Sequence, residues 1–373
     1  TPLVQFLYAT CAARETEYDR PSAREAARFC AVLEAMPIGE DADGVLAGSF
    51  GLHHAEEGFK ARFTAWRTAP APAPASAPAV PDRLAWFQAL APAYQSCNSI
   101  FTAVHTTIDF ETVLEKGLPG YIRWCESLTP PDAEGGHEVR AMVTALRGFR
   151  AWLLRFGALS DGAGARACRV IAEGRPETFF EALQLVWLLN IAVGISEGAF
   201  FSLSFGRMDQ YLWPWFEADR RRGVPEAEMA AFVRDLFIKL NRYADAACNI
   251  NLGGVTADGR DMLNDLSRMI ADVAAGLAGP GPLLSVRIHP AIAQADFDRF
   301  LAPDLVRIGQ PTFYGEAACR AALRTRSVPE QEVAGWAANS CMGIMVPGAE
   351  FADMWGVVLS LPVPLELALH GGV

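Results

Sequence analysis

A chain of 373 residues, 51% hydrophobic and only 20% charged, can bury a large core and is too apolar to be a disordered polypeptide. Its formal net charge of −11, from 43 acidic against 32 basic residues, excludes nucleic acid as an expected partner, since the arginines are scattered except for Arg220, Arg221 and Arg222. The eight cysteines stand singly, with no C-x-x-C pair and no Cys/His cluster at metal-ligand spacing, which is the usage of a reduced, cytoplasmic protein. No signal-peptide pattern opens the chain. The longest uncharged apolar run, Ala182 to Ser196, falls short of the ~20 residues that a membrane-spanning helix needs, so no membrane is expected.

Residues 21 to 36 place Ala26, Phe29, Cys30, Leu33 and Met36 on one face at helical spacing, and Pro21 suits a first turn, which predicts an amphipathic helix. Further on, His53 and His54 are adjacent; neighbouring side chains rarely converge on one metal, so a loop pair is expected. The stretch 69–81, with prolines at 70, 72, 74, 78 and 81, cannot hold a regular hydrogen-bonded element and reads as an exposed loop. Because apolar patterning resumes at once with Leu84, Trp86, Phe87 and Leu90, it is an insertion within one domain spanning 1–373. A helix-rich stretch runs from about His137 to Phe156. Thr178-Phe-Phe-Glu181 is a capping box opening a helix that is apolar on every side and therefore buried.

The run Arg220 to Arg222, just before Gly223, predicts a solvated turn. From Pro225 to about Tyr243 a one-sided stripe of Met229, Phe232, Val233, Leu236, Phe237 and Leu240 predicts a helix packed on something large. The pattern then alternates. A strand from Cys248 to Leu252 ends in Gly253-Gly254, and a helix covers Asp261 to Leu277. A second strand sets Leu284, Val286 and Ile288 against Ser285, Arg287 and His289, and a short one fits Pro311 to Tyr314. Strand, helix, strand, helix order implies parallel strands in a sheet or barrel.

Standard chemistries find little purchase. Gly253-Gly254 alone is no phosphate loop, and neither G-x-S-x-G nor H-E-x-x-H occurs. Arg287 and His289, on the polar face of an apolar strand, suit either a bound carboxylate or a salt bridge at a barrel rim. Cys341 taken alone is one thiol among eight. Its surroundings, Ala338-Asn-Ser-Cys-Met-Gly-Ile-Met-Val-Pro-Gly348, form a glycine-bearing loop without charge after a helix begun at Pro329, a setting better suited to radical than to ionic chemistry.

Several blocks, in order, resemble the glycyl radical enzymes of the pyruvate formate-lyase-like superfamily. They are His105-Thr-Thr-Ile-Asp-Phe-Glu-Thr-Val-Leu-Glu-Lys-Gly117-Leu-Pro-Gly120, with its glycine-bounded turn; Ser204-Phe-Gly-Arg-Met-Asp-Gln-Tyr-Leu-Trp-Pro214, similar to a G-R-x-D-Q signature; and Asn249-Ile-Asn-Leu-Gly-Gly-Val-Thr-Ala-Asp-Gly-Arg-Asp261. Pro282-Leu-Leu-Ser-Val-Arg-Ile288, Gly309-Gln-Pro-Thr-Phe313, the cysteine loop and Leu365-Glu-Leu-Ala-Leu-His-Gly-Gly372 follow. The resemblance implies an α/β barrel of two parallel half-sheets wrapped in helices, with Cys341 on a loop inside it. It also implies a homodimer, a small-molecule substrate, and a glycyl radical installed by a radical-SAM activating enzyme. That radical passes to the cysteine sulfur, which takes hydrogen from the substrate; S–H and activated C–H bonds are of similar strength, so the transfer is reversible where water and oxygen are excluded.

Three departures shape the expectation. The carboxy-terminal glycine-radical motif lies outside these 373 residues, and the chain opens on Thr1 and stops at Val373 in mid-pattern, so both ends read as cut and only the amino-terminal, cysteine-bearing part is expected here. The family's G-C-V-E is here Ser340-Cys-Met-Gly343, without the acid/base glutamate and without a second cysteine, since the neighbour is Met342. Phe200-Phe201-Ser202 stands where many members carry a hydrogen-bonding histidine, which favours an apolar substrate. By the resemblance Cys341 is catalytic, and Phe201, Ser202, Arg287, Met342 and Gly343 contact substrate. Carbon–carbon lyase or fumarate-addition chemistry ranks first. The alternative is a catalytically silent paralogue, or a subunit of a split enzyme, serving as a binding or assembly module.

Overall fold

A computed structural model describes residues 2–11, 20–41, 44–69, 99–100, 107–196, 204–243, 248–256, 258–277, 281–339, 343–350, 357–358 and 368–369. The Ala/Pro-rich stretch beyond Ala69 lies outside the described residues, as do Phe201, Ser202, Cys341 and Met342.

The first half of the chain is helical. α1 (Pro2–Cys11) and α2 (Pro21–Ala35) precede a two-stranded antiparallel pair, β1 (Ile38–Gly39) with β2 (Ser49–Phe50); α3 (Glu57–Thr68) follows. α2 is the expected amphipathic helix, with Pro21 in its first turn and Ala26, Phe29 and Leu33 buried. It packs against α5 (Ala133–Gly157), whose Arg155 donates to the carbonyls of Leu33 (2.5 Å) and Met36 (3.0 Å) and so satisfies acceptors that the end of α2 leaves orphaned. β3 (Ser99–Ile100) pairs with β9 (Val357–Val358).

α4 (Phe110–Ser127) is broken in its interior at Gly117, where φ is +66°. The glycine-bounded segment is thus a kink within a helix rather than a terminal turn. A Cβ at Gly117 would lie 2.7 Å from the carbonyl oxygen of Gly174, directly after α6 (Ala163–Glu173), so glycine lets the two backbones touch. α7 (Phe179–Ser196) opens with the predicted capping box: the Glu181 amide donates to Thr178 Oγ1 and the Thr178 amide to Glu181 Oε2, both at 3.2 Å. It is apolar and long enough to cross a membrane, yet 78% of its length is buried against the rest of this chain, the signature of a core helix.

After the single turn of α8 (Met208–Tyr211) come α9 (Trp213–Arg221) and α10 (Glu226–Tyr243), the latter burying Met229, Val233, Leu236, Phe237 and Leu240 as its stripe requires. The arginine run is tied into ion pairs, Arg220 with Asp265, Arg221 with Glu217 and Arg222 with Asp219, around a partly exposed helix end.

The predicted alternation builds a parallel sheet, β4 (Asn249–Gly253), β5 (Leu283–Ile288) and β6 (Thr312–Gly315). Parallel bridges from Gly206 to Ile250 and from Thr107 to Ser204 extend it by two positions. α11 (Asp265–Ala275) connects β4 to β5, and α12 (Gln294–Phe300) with α13 (Pro303–Arg307) connects β5 to β6. α11 starts later than its apolar spacing suggests. Asn264 and Ser267 form its capping box, and Leu263 instead fills the space beside Gly253. Because side chains alternate along a strand, Ile250, Leu252, Leu284 and Val286 join the helical core while Asn249, Asn251, Ser285, Arg287, Thr312 and Tyr314 share the opposite, polar face.

That polar face meets the segment that follows β6, through bonds to Glu316, Trp336 and Ala338. α14 (Glu316–Thr325) leaves the end of β6, and the one-turn helix α15 (Glu330–Val333), entered through Pro329, leads to an antiparallel hairpin of β7 (Ala337–Asn339) and β8 (Gly343–Met345). The architecture is α/β, with mixed parallel and antiparallel strands wrapped by helices; among the described residues a single parallel sheet is present.

Candidate functional site

In sequence Cys341 lies between the end of β7 at Asn339 and the start of β8 at Gly343, and the described residues on either side of it are these two paired strands. Asn251, fully buried at the centre of β4, makes two bonds to one residue of β7: its Nδ2 donates to the Ala338 carbonyl at 2.8 Å, and its Oδ1 accepts from the Ala338 amide at 2.6 Å. Arg287, one strand across, fixes the hairpin's base. Its guanidinium donates to the carbonyls of Trp336 (2.7 Å) and Ala334 (3.1 Å) and stacks on the Trp336 ring, 4.3 Å from the centroid.

The charge of Arg287 is met by Glu316 at the start of α14 in a two-pronged pair, Nε to Oε2 at 2.9 Å and Nη2 to Oε1 at 2.6 Å. Burial pushes the Glu316 carboxyl up, but the bonds and charges of Arg287 and Arg320 outweigh it and hold the group below the usual range. Gly254 allows this packing, since a Cβ there would sit 2.7 Å from the guanidinium carbon. Of the two roles open to Arg287 from sequence, the salt bridge is the one the geometry presents; its side chain is spent on the protein's own carboxylate and carbonyls. His289 likewise faces Asp261, Nε2 to Oδ1 3.2 Å.

Two of the sequence blocks prove to be one structural knot. Asp209, wholly buried in α8, accepts from the Gly253 amide (2.7 Å) and from Ser267 Oγ (2.6 Å), so it joins the end of β4 to the start of α11. Gln210 donates to the Met262 carbonyl at 3.0 Å, and Arg207 reaches the Met262 sulfur at 3.2 Å. Burial raises the Asp209 carboxyl to about 6 against those bonds and the charge of Arg207. Burial and the nearby charge of Arg287 bring the Arg207 guanidinium down to about 10.

At the hairpin's base lies a cleft of about 330 Å³ lined by Phe110, Glu111, Phe205, Arg207, Tyr211 and Pro347 among others. Burial, reinforced by Glu115, raises the Glu111 carboxyl there. Gly343 is the first residue of β8 and stands opposite Asn339. Phe201, Ser202, Cys341 and Met342 have no described position, and their roles rest on the sequence. The His53 and His54 rings lie tilted to one another with centroids 3.9 Å apart beside Ser49 Oγ, and among the described residues no group of three or more His, Cys, Asp or Glu is placed to hold a metal ion. Sequence reasoning missed Asn251, Glu316 and Asp209. The polar half of the alternation in Asn249-Ile-Asn-Leu was a signal for Asn251, whereas nothing local marks Glu316 as the partner of Arg287.

Residues 95–373 match the family described as pyruvate formate lyase-like. The (2S)-3-sulfopropanediol dehydratase of Klebsiella oxytoca is 23% identical over 308 residues, 72% of this chain and 37% of that protein. The trans-4-hydroxy-L-proline dehydratase of Clostridioides difficile is 28% identical over 225 residues, 56% of this chain and 28% of that protein. A solved structure concerned with 1,2-propanediol dehydration in Roseburia inulinivorans superposes with a TM-score of 0.76 at 23% identity, covering 100% of this chain and 55% of its own. A glycyl radical enzyme from Archaeoglobus fulgidus gives 0.75 at 20% identity, covering 100% and 56%. The structural likenesses establish the fold, and the chain spans about a third of the length of these curated relatives and a little over half of the solved chains. With the family's match running over about three quarters of its length, the chain belongs to the pyruvate formate lyase-like family.

Proposed function

We propose that this chain is the cysteine-bearing part of a glycyl radical enzyme in which Cys341, as a thiyl radical, removes a hydrogen atom from a small substrate. The observation that supports the reading is the hairpin: β7, which ends two residues before Cys341, lies on the polar face of a parallel sheet, bonded to Asn251 at Ala338 and anchored at Trp336 by Arg287. In this reading the sheet is one half of a barrel, the protein is cytoplasmic and homodimeric, and the radical is stored on a glycine elsewhere in the protein after installation by a radical-SAM activating enzyme.

For the substrate, the sequence assigns Phe201, Ser202, Met342 and Gly343 to substrate contact, and a phenylalanine at 201 in place of a hydrogen-bonding histidine, together with the lack of a carboxylate at 343, favours carbon–carbon lyase or fumarate-addition chemistry on an apolar compound. A second reading, elimination of water from a hydroxylated substrate, is favoured by the names of two relatives, both dehydratases. It requires an acid/base group other than residue 343.

The test is anaerobic expression of the full-length protein with its activating enzyme, followed by electron paramagnetic resonance and substrate screening. A glycyl doublet is expected, with Cys341→Ala keeping the doublet and losing turnover. Consumption of hydrocarbons with fumarate supports the first reading, consumption of diols or hydroxy acids the second. Absence of a doublet in an activated, folded protein overturns both and leaves the catalytically silent module.

A further inference from the structure

We propose that Asn251 is a positioning residue for Cys341, a carboxamide that sets the register of β7, the strand that ends two residues before the cysteine. The inference rests on the role of Cys341 given above and concerns a residue in none of the contacts assigned to substrate.

The hairpin is short. β7 and β8 are paired through only three positions, Ala337 with Met345, Ala338 with Ile344 and Asn339 with Gly343. A pairing this brief is marginal by itself. Its side chains discriminate poorly between registers, because Ala337 and Ala338 are identical and Gly343 offers none. A slip of one residue would displace the turn by about 3.4 Å along the strand and invert which side chains face the sheet. Hydrogen transfer to a sulfur radical needs van der Waals contact, and a misplacement of about 1 Å already costs on the order of a hundredfold in rate.

Asn251 supplies the missing discrimination by reading the backbone. In an antiparallel pair, alternate residues turn both their N–H and C=O away from the partner strand. Ala338 is such a residue: its amide and carbonyl both go to the Asn251 carboxamide, at 2.6 and 2.8 Å. The side chain thus stands in for one residue of an absent neighbouring strand. It accepts Ala338 but neither Ala337 nor Asn339, whose backbone groups point toward β8. The carboxamide is itself rigidly carried. The Asn251 amide donates to the Gly206 carbonyl at 2.8 Å, and the residue pairs with Ser285 of β5, so the reference point is the middle of the parallel sheet. Both Asn251 and Ala338 are fully buried, so water cannot substitute for either bond.

The experiment compares full-length wild type, Asn251→Ala, Asn251→Asp and, as a control on the same sheet face, Ser285→Ala, all unactivated and anaerobic. Hydrogen exchange at the Ala338 amide and the iodoacetamide alkylation rate of Cys341 relative to Cys319 are read by mass spectrometry. Asn251→Ala is expected to speed Ala338 exchange about tenfold or more, from one lost hydrogen bond, and to change the Cys341 to Cys319 ratio severalfold, while Ser285→Ala changes neither. Asn251→Asp should resemble wild type at low pH, where a protonated carboxyl both donates to the Ala338 carbonyl and accepts from its amide. Once ionised it still accepts from the amide but sets a negative charge against the carbonyl, so the thiol ratio should shift towards that of Asn251→Ala while Ala338 exchange stays slower than in Asn251→Ala, a profile that a merely space-filling role would not show. In activated protein the Asn251 variants should keep the glycyl doublet and lose kcat.

Equal effects of the Asn251 and Ser285 substitutions, or no effect of Asn251→Ala on the thiol ratio, overturn the proposal. Should Asn251→Ala not fold, the wild-type protein decides by itself, because an Ala338 amide that exchanges at an unprotected rate rules out the clamp. A missing doublet in wild type would instead refute the role of Cys341, without altering the exchange and alkylation readings.

Discussion

Among the described residues, three buried carboxamides, Asn251, Gln184 and Gln310, satisfy backbone groups that no strand or helix pairs. Asn251 holds Ala338, and Gln184 of α7 holds both the amide and the carbonyl of Ala47 at 2.7 and 2.9 Å. Gln310 accepts from the Leu284 amide at 2.8 Å and donates to the Pro282 carbonyl at 3.3 Å. Each replaces two bonds to water, and an apolar substitute would strand both backbone groups. Charge is handled with the same economy. Glu316→Gln should destabilise the fold by about 3–5 kcal/mol in urea unfolding, since it leaves the guanidinium of Arg287 buried without its counter-ion, and the double variant Arg287→Leu/Glu316→Leu should cost less than the sum of the singles. Asp209 gives a pH signature. Its folded value of about 6 exceeds the ordinary 3.8, so the native state binds the proton more tightly than the unfolded chain does. This group therefore makes stability fall as pH rises from about 4 to about 6, by roughly 3 kcal/mol at 1.4 kcal/mol per pH unit. Asp209→Asn should remove that component from the pH dependence of urea midpoints and leave the remaining carboxylate titrations in place.

Among the elements, the kinked helix α4 shows how backbone freedom buys contact between segments. Gly117 carries φ +66° and abuts the backbone of Gly174, so Gly117→Ala combines a left-handed conformation with a Cβ 2.7 Å from a carbonyl oxygen. A loss of about 1–3 kcal/mol is expected, read as a lower thermal midpoint with the far-ultraviolet circular dichroism of the folded state retained. The glycine-bounded block in the sequence marked this place, but only the arrival of Gly174 explains why the glycine sits inside a helix. The same holds for the G-R-x-D-Q block, which is legible as a signature and becomes intelligible as a knot once Asp209 is seen bonded to Gly253 and Ser267.

For the whole molecule, the core runs continuously from α1 through the helices to the outer face of the sheet, so buried thiols report its integrity. Cys168 is fully buried, and burial pushes its thiol well above the usual range. It should resist alkylation in the native protein and react only on global unfolding, whereas half-buried Cys319 should react through local opening. Equal native-state rates for the two, measured by mass spectrometry at pH 8, would contradict this separation of the main core from the smaller apolar cluster around Tyr314 and Trp336 against which Cys319 packs.

Periodicity is local, and what it encodes was readable without coordinates. The helices at 21–36, 179–196 and 226–243, the capping box at Thr178, the strands at 249–253, 283–288 and 312–315 and their parallel order all follow from the spacing of apolar side chains and the chemistry of a few capping residues. Cys341 could be singled out only by the resemblance of its surroundings, since a lone thiol carries no pattern. Tertiary structure alone decided that Arg287 turns to Glu316, that Asp209 bridges two sequence blocks, and that Asn251 meets Ala338 across 87 residues of chain. The reason is physical: hydrophobic burial repeats with the period of the element that makes it, whereas a buried polar group finds its partner only where folding has removed water, and sequence distance says nothing about which group that will be.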